Sequence, residues 1–196
     1  LFVVLGGVAL LVVIAVSAWF WWSNGQAGDS VEAPDADAQS SDSATLAPLF
    51  ASDEEALAAA RATYEAFLNA TDTVMAEEGA DPDRIDEFAT PELASSEKAS
   101  IFQFVERGDR LEGRAQVDSV SLQSYSGNDL GGSEEMTVYV CVDISTVDVL
   151  DKQGNSTVAS TRPDRVPFQV TFEPVTTESP KLLVSSKTVW TGDGVC

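Results

Sequence analysis

Few side chains in this sequence are equipped for chemistry. There is no histidine, which removes the commonest general base near neutral pH and the commonest transition-metal ligand. Ser-His-Asp and Cys-His arrangements go with it. Gly131-Gly132-Ser133 lacks the lysine and the strand-to-helix setting of a phosphate loop. Carboxylates and two cysteines remain. A carboxylate works as a general base when burial raises its pKa. Asp143 is the residue to test, because it shares a strand face with Tyr139 and Cys141; a solvent-facing acid paired with arginine is the plainer expectation. Asp81, Asp83, Asp86 and Glu87 gather negative charge, but their spacing fails the Asp-x-Asp-x-Asp-Gly calcium loop with its closing Glu. A charge cluster at a helix start is expected instead. Asn69-Ala70-Thr71 and Asn155-Ser156-Thr157 match glycosylation acceptors; the first falls in mid-helix, and both are expected to be coincidental. Tyr125, Tyr139 and Trp190 are expected to be core or rim aromatics, not a binding cage. The inventory implies no catalytic residue, no cofactor and no metal site.

The elements that would position these groups begin with an apolar run. Residues 1–22 carry no charge and end in Trp19, Phe20, Trp21 and Trp22. As a helix they would extend about 33 Å, enough for a hydrocarbon core of about 30 Å. Tryptophans favour the headgroup region, so the cluster marks one interface. The chain starts with Leu, and a preceding segment carrying orienting charges is expected. The first cation after the run is Arg61, behind eight acids from Asp29 to Glu55. Cytoplasmic flanks are rich in Lys and Arg, so everything after Trp22 is expected outside the cytoplasm. The competing reading is a cleaved signal peptide, with small residues at Val16-Ser17-Ala18 and Gly25-Gln26-Ala27. The length of the run favours a retained anchor. No cysteine lies near it to accept a lipid, and it has no small-xxx-small pair for packing against another span.

The net charge is −21, from 32 acidic and 11 basic residues. Such a chain cannot replace phosphate counterions, so nucleic acid is excluded as a partner. Docking on anionic headgroups is disfavoured too. Cys141 and Cys196 are the only cysteines. An even count in an exported domain argues for one structural disulfide; a redox pair would more often be Cys-x-x-Cys. Closing a loop of about 56 residues stabilises by about 4 kcal/mol in the chain-entropy model.

Residues 23–51 are Ala, Asp, Ser, Gly and Pro with few large apolar side chains, and they read as a disordered acidic linker, with ends about 30 Å apart. Residues 52–196 suffice for one domain with a core. Ser52-Asp53-Glu54-Glu55 is a capping box. Leu57, Ala60, Tyr64, Phe67, Leu68, Thr71, Val74 and Met75 then recur at helical spacing up to Gly79. A short helix is expected over 82–88. Thr90-Pro91 starts a third, which carries Leu93, Ile101, Phe102, Phe104 and Val105 and ends at Arg107-Gly108. From Leu111 the period becomes two. Val117 and Val120 are out of phase, so a bulge is expected near Asp118-Ser119. Residues 127–133 form a turn. Met136, Val138, Val140, Val142 and Ile144 define one face of the second strand. Val166, Phe168, Val170 and Phe172 mark the third, whose start should be an edge or irregular because of Pro163 and Pro167. A fourth runs from Lys181 to Trp190. The fold class is α+β: three helices on a curved four-stranded antiparallel sheet.

Three stretches carry a family resemblance: Tyr64-Glu65-Ala66-Phe67-Leu68, Val138-Tyr139-Val140-Cys141-Val142-Asp143, and Trp190 to Cys196. With the helix-then-strand order, they resemble the cystatin-like cone fold shared by nuclear transport factor two, ketosteroid isomerase and limonene epoxide hydrolase. The anchor and acidic linker make the chain similar to uncharacterised actinobacterial membrane proteins of this fold. The resemblance implies a cone whose enzymes often use a cavity-lining Asp or Glu, the role Asp143 would take. Cone-fold domains of this type also occur in bridging subunits of type IV secretion and in proteins associated with mammalian-cell-entry transporters, an analogy at the level of fold. Fold does not fix function. The expected function is a non-catalytic, membrane-anchored interaction or assembly module of the cell envelope, with an envelope protein as partner. The alternative is a cone-shaped pocket for a small hydrophobic ligand, and a buried-carboxylate hydrolase or isomerase is a third reading.

Overall fold

The computed structural model describes residues 49–126 and 135–196. The apolar run over 1–22, nearly all of the expected linker and the turn at 127–133 lie outside the described residues. Among the described residues, no helix is long and apolar enough to cross a membrane. The elements belong to one compact unit, Ser43–Cys196. Helix α1 (Asp53–Ala76) is followed by a 3-10 helix (Pro82–Glu87), α2 (Pro91–Glu106), β1 (Arg110–Glu112), β2 (Gln116–Ser126), β3 (Glu135–Asp143), β4 (Asp148–Leu150), β5 (Arg165–Pro174) and β6 (Leu182–Val189).

Local chemistry sets the helix ends. The Ser52 hydroxyl accepts the Glu55 amide, and the Glu55 carboxylate accepts the amide of Ala51 at 2.9 Å. Such a cap is worth about 1 kcal/mol. At α2 the Thr90 hydroxyl accepts the Leu93 amide, with Pro91 at the first helical position. One face of α1 buries Ala56, Ala60, Tyr64, Phe67, Ala70 and Val74. These pack against Met136, Val138, Val140 and Val142 of β3 and Val170 and Phe172 of β5. Each such large side chain contributes about 1.5–3 kcal/mol by leaving water. Phe50, inside the stretch expected as linker, is also buried and its ring packs on Tyr125 at 6.2 Å.

The class is α+β, but the strand count differs from the expected four. The main sheet has four antiparallel strands in the order β2-β3-β5-β6, and β1 pairs with β4 in a separate two-stranded sheet. Three-residue strands are too short to show a period, which is why β1 and β4 do not stand out in the sequence. The chain enters β2 from β1 through Gly113, at φ +81°, where any Cβ would strike the Thr146 carbonyl.

The β2–β3 register slips between Val117 and Ser119, leaving Asp118 as the extra residue. Pro167 lies near the start of β5, opposite Cys141 of β3 and before the first residue paired with β6, so the start of this strand is an edge, as expected. Its carbonyl accepts the Trp190 amide just beyond β6. Its missing N–H therefore faces the side where β6 has ended, and no ladder bond to β3 is lost. A bulge in the β5–β6 pairing places Lys187 opposite Val170, on the core-facing side of the sheet.

Candidate functional site

Asp143 is not a buried base. It stands opposite Arg165 at the end of β3, and its Oδ1 accepts the Ser145 amide at 2.8 Å. Hydrogen bonds from Ser145, with help from Arg165, hold its carboxyl below the usual range. A carboxylate stabilised in its charged form is a poor proton acceptor at neutral pH. Two of the carboxylates at 81–87 hold a lysine. Lys98 Nζ reaches Asp83 at 3.0 Å and Asp86 at 2.7 Å, while Arg84 pairs with Glu77 and Asp81. No metal-binding group is found among the described residues.

Cys141 and Cys196 meet at disulfide distance, with Cα atoms 5.2 Å apart. Cys141 is buried on the outer face of the sheet, away from α1, and Cys196 is exposed. Between them, residues 190–196 lie across that face. The Trp190 ring sits 4.7 Å from the Tyr139 ring. Gly192 passes so close to the indole that a Cβ would lie 2.6 Å from it. Thus Trp190 belongs to a strap that packs on Tyr139 of the outer face, whereas Tyr125 packs on the inner core.

The polar cluster that sequence reasoning missed lies on the inner side, where α1, α2 and β6 meet. Lys187 Nζ pairs with Glu97 at 3.0 Å, both side chains largely shielded, and stands 5.1 Å from the centre of the Phe67 ring. Asp72 is buried, and its Oδ2 accepts the Ala115 amide at 2.8 Å. Burial raises its pKa, opposed by that amide, Arg114 and Lys187. Arg114 itself bonds to Asn69 and Thr73 of α1. The Tyr64 hydroxyl is fully buried without a hydrogen-bond partner. Burial, and then the charges of Glu97 and Asp72, push its pKa upward, so it remains a phenol. The available signals are an acid between the helix-spaced positions Thr71 and Val74 and a lysine in the last strand. Lys187 turns inward only because of the β6 bulge.

This cluster joins elements more than it opens a cavity. Asp72 ties α1 to the start of β2, and the Glu97–Lys187 pair ties α2 to β6. The interior beside it is occupied by the chain's own Phe67, Val74, Val138, Val170, Phe172 and Val184, all fully buried. Concave space lies at the surface. One groove of about 430 Å³ runs between Glu78, Gly108 and Lys152. Another, of about 510 Å³, lies between the 3-10 helix, α2 and the start of β6. Phe102, Val175 and Val189 are exposed large apolar side chains.

No protein-family model matches the sequence, and no curated protein matches it. Among solved structures, the chain is similar to the intermembrane space region of the chloroplast protein ARC6, at 6% identity and a TM-score of 0.48, over 68% of this chain and 95% of that one. It is also similar to the transfer protein TraH of the Gram-positive conjugative plasmid pIP501, at 10% identity and a TM-score of 0.38, over 72% and 96%. A de novo designed β-sheet protein overlaps at 16% identity and a TM-score of 0.33, over 72% and 92%. All three scores are below one half, and nothing about this chain is argued from them.

Proposed function

We propose that this chain is a non-catalytic interaction module of the cell envelope, held at the membrane by residues 1–22 with its folded unit on the extracytoplasmic side. The cone-shaped, nuclear-transport-factor-two-like family remains part of this reading, on the strength of the helix order and the four-stranded meander. The observation that carries the proposal is where the apolar surface lies. The interior is filled by the chain's own side chains, while Phe102 and Val189 stand in water, 63% and 59% exposed. In this reading Phe102 and Val189 supply apolar anchors for a docked partner. A filled core also counts against the alternative of a hydrophobic ligand held in the cone, and an ionised surface Asp143 counts against a carboxylate-based enzyme. The paired cysteines fit an oxidising compartment.

The experiment is in-cell photocrosslinking of the full chain, with the photoreactive residue placed in turn at exposed positions of α2 and β6. Reproducible adducts with one envelope protein are expected. Adducts with lipid alone, or none at any position, would overturn the proposal.

A further inference from the structure

We infer that the groove between the 3-10 helix, α2 and the start of β6 is a docking site for a basic, amphipathic segment of a partner protein. The inference rests on the interaction reading and gives that partner a chemistry. The groove is lined by Asp86, Ala89, Pro91, Ser95, Lys98 and Leu183. Pro91, Ser95 and Lys98 are spaced four and three residues apart, and Phe102 follows four residues later. This is one stripe along α2. It is offset from the face that buries Ala94 and Ile101. Phe102 is 63% exposed, the most of the large apolar side chains described. Ala89, Pro91 and Leu183 give the groove apolar lining, and Phe102 lies on the same α2 stripe just beyond it, one turn past Lys98.

Charge selects the occupant. Lys98, the only cation of the lining, is held by both Asp83 and Asp86. These carboxylates bind an ammonium group already, and their hydrogen bonds raise the Lys98 pKa. Yet Asp83 and Asp86 remain 82% and 50% exposed, with room to accept a second cation from outside. Glu87 and Glu92 are exposed nearby in sequence. An acidic segment would be repelled by this rim, and so would an anionic lipid surface. A second copy would bring the same acids face to face. A segment with lysine or arginine on one side and leucine-like side chains on the other satisfies both the apolar lining and the rim.

The test uses the full chain in nanodiscs of zwitterionic lipid, with empty nanodiscs as the reference. The probe is a fluorescein-labelled helical peptide of leucine and lysine, compared with its leucine–glutamate counterpart by fluorescence anisotropy. The lysine peptide is expected to bind and the glutamate peptide not to. Phe102→Ala should weaken binding about tenfold, and Asp83→Asn with Asp86→Asn about fivefold. Val175→Ala, outside the groove, should leave it unchanged. Circular dichroism of each variant should match the parent, since all four positions are exposed. Absence of lysine-peptide binding, or equal binding by the Phe102→Ala and parent chains, would overturn the assignment. So would equal binding of the two peptides, or self-association that Phe102→Ala abolishes. If crosslinking then still finds an envelope partner on another face, the groove falls and the interaction reading stands.

Discussion

Replacing Lys187 by methionine would probe the seam between the helices and the sheet. The aliphatic length is kept and the ammonium is lost. With it go a charge-assisted hydrogen bond to Glu97 at 3.0 Å and the contact over the Phe67 ring at 5.1 Å. Hydrogen bonds to charged groups are worth about 1.5–3 kcal/mol, and a cation over an aromatic ring about 0.5–1 kcal/mol. Glu97, 17% exposed, would be left without its cation. The expected loss is about 2–3 kcal/mol, a fall in Tm of about 4–12 °C for a domain of this size. Adding Glu97→Gln should restore most of it, because two neutral groups of similar shape replace a half-buried ion pair. Urea denaturation of the parent, both single variants and the double variant at neutral pH measures the coupling. Additivity within about 0.5 kcal/mol would refute the claim that this pair joins α2 to β6.

Three further outcomes follow from the same contacts. Replacing both Cys141 and Cys196 by serine should cost about 2–4 kcal/mol and make residues 190–196 the first site of limited proteolysis, read by mass spectrometry. Gly192→Val should loosen the same strap, because its side chain would displace the Trp190 indole; a rise in tryptophan quenching by acrylamide would report this. Asp72 has a raised pKa in the folded state, so the folded state holds its proton more tightly than the unfolded one. Stability from this group is therefore greatest at low pH and declines as pH rises above about 3.8, the unfolded value, toward the higher folded one. Asp72→Asn keeps an acceptor for the Ala115 amide and should flatten that decline in a pH series of urea melts.

The readable parts of the fold were those written in repeated local chemistry. The Ser52 box and the Thr90-Pro91 pair mark helix starts because capping is decided within four residues. The alternation from Met136 to Val142 identifies β3, and the phase slip after Val117 locates the β2 bulge. Features requiring a distant partner were not readable. Pro167 signals an edge at the start of β5, but not that the edge arises because β6 ends beside it. Lys187 reads as a surface charge until the extra residue in β6 turns it inward, and Asp72 until the amide of Ala115, just before β2, reaches it. The pairing of Cys141 with Cys196 follows from there being only two cysteines, but the strap of Trp190 and Gly192 beneath it depends on tertiary contacts. Asp143 is legible as a strand residue, but its environment there stabilises the charged carboxylate instead of raising its pKa.

The central claim, an extracytoplasmic module retained at the membrane, is tested most directly by protease treatment of intact cells expressing the full chain, followed by fractionation. The account predicts that protease added outside cuts the Ser43–Cys196 unit, and that without protease the intact chain sediments with the membrane fraction. A chain shielded from external protease and recovered in the cytosol would contradict it, as would a shortened chain recovered from the medium.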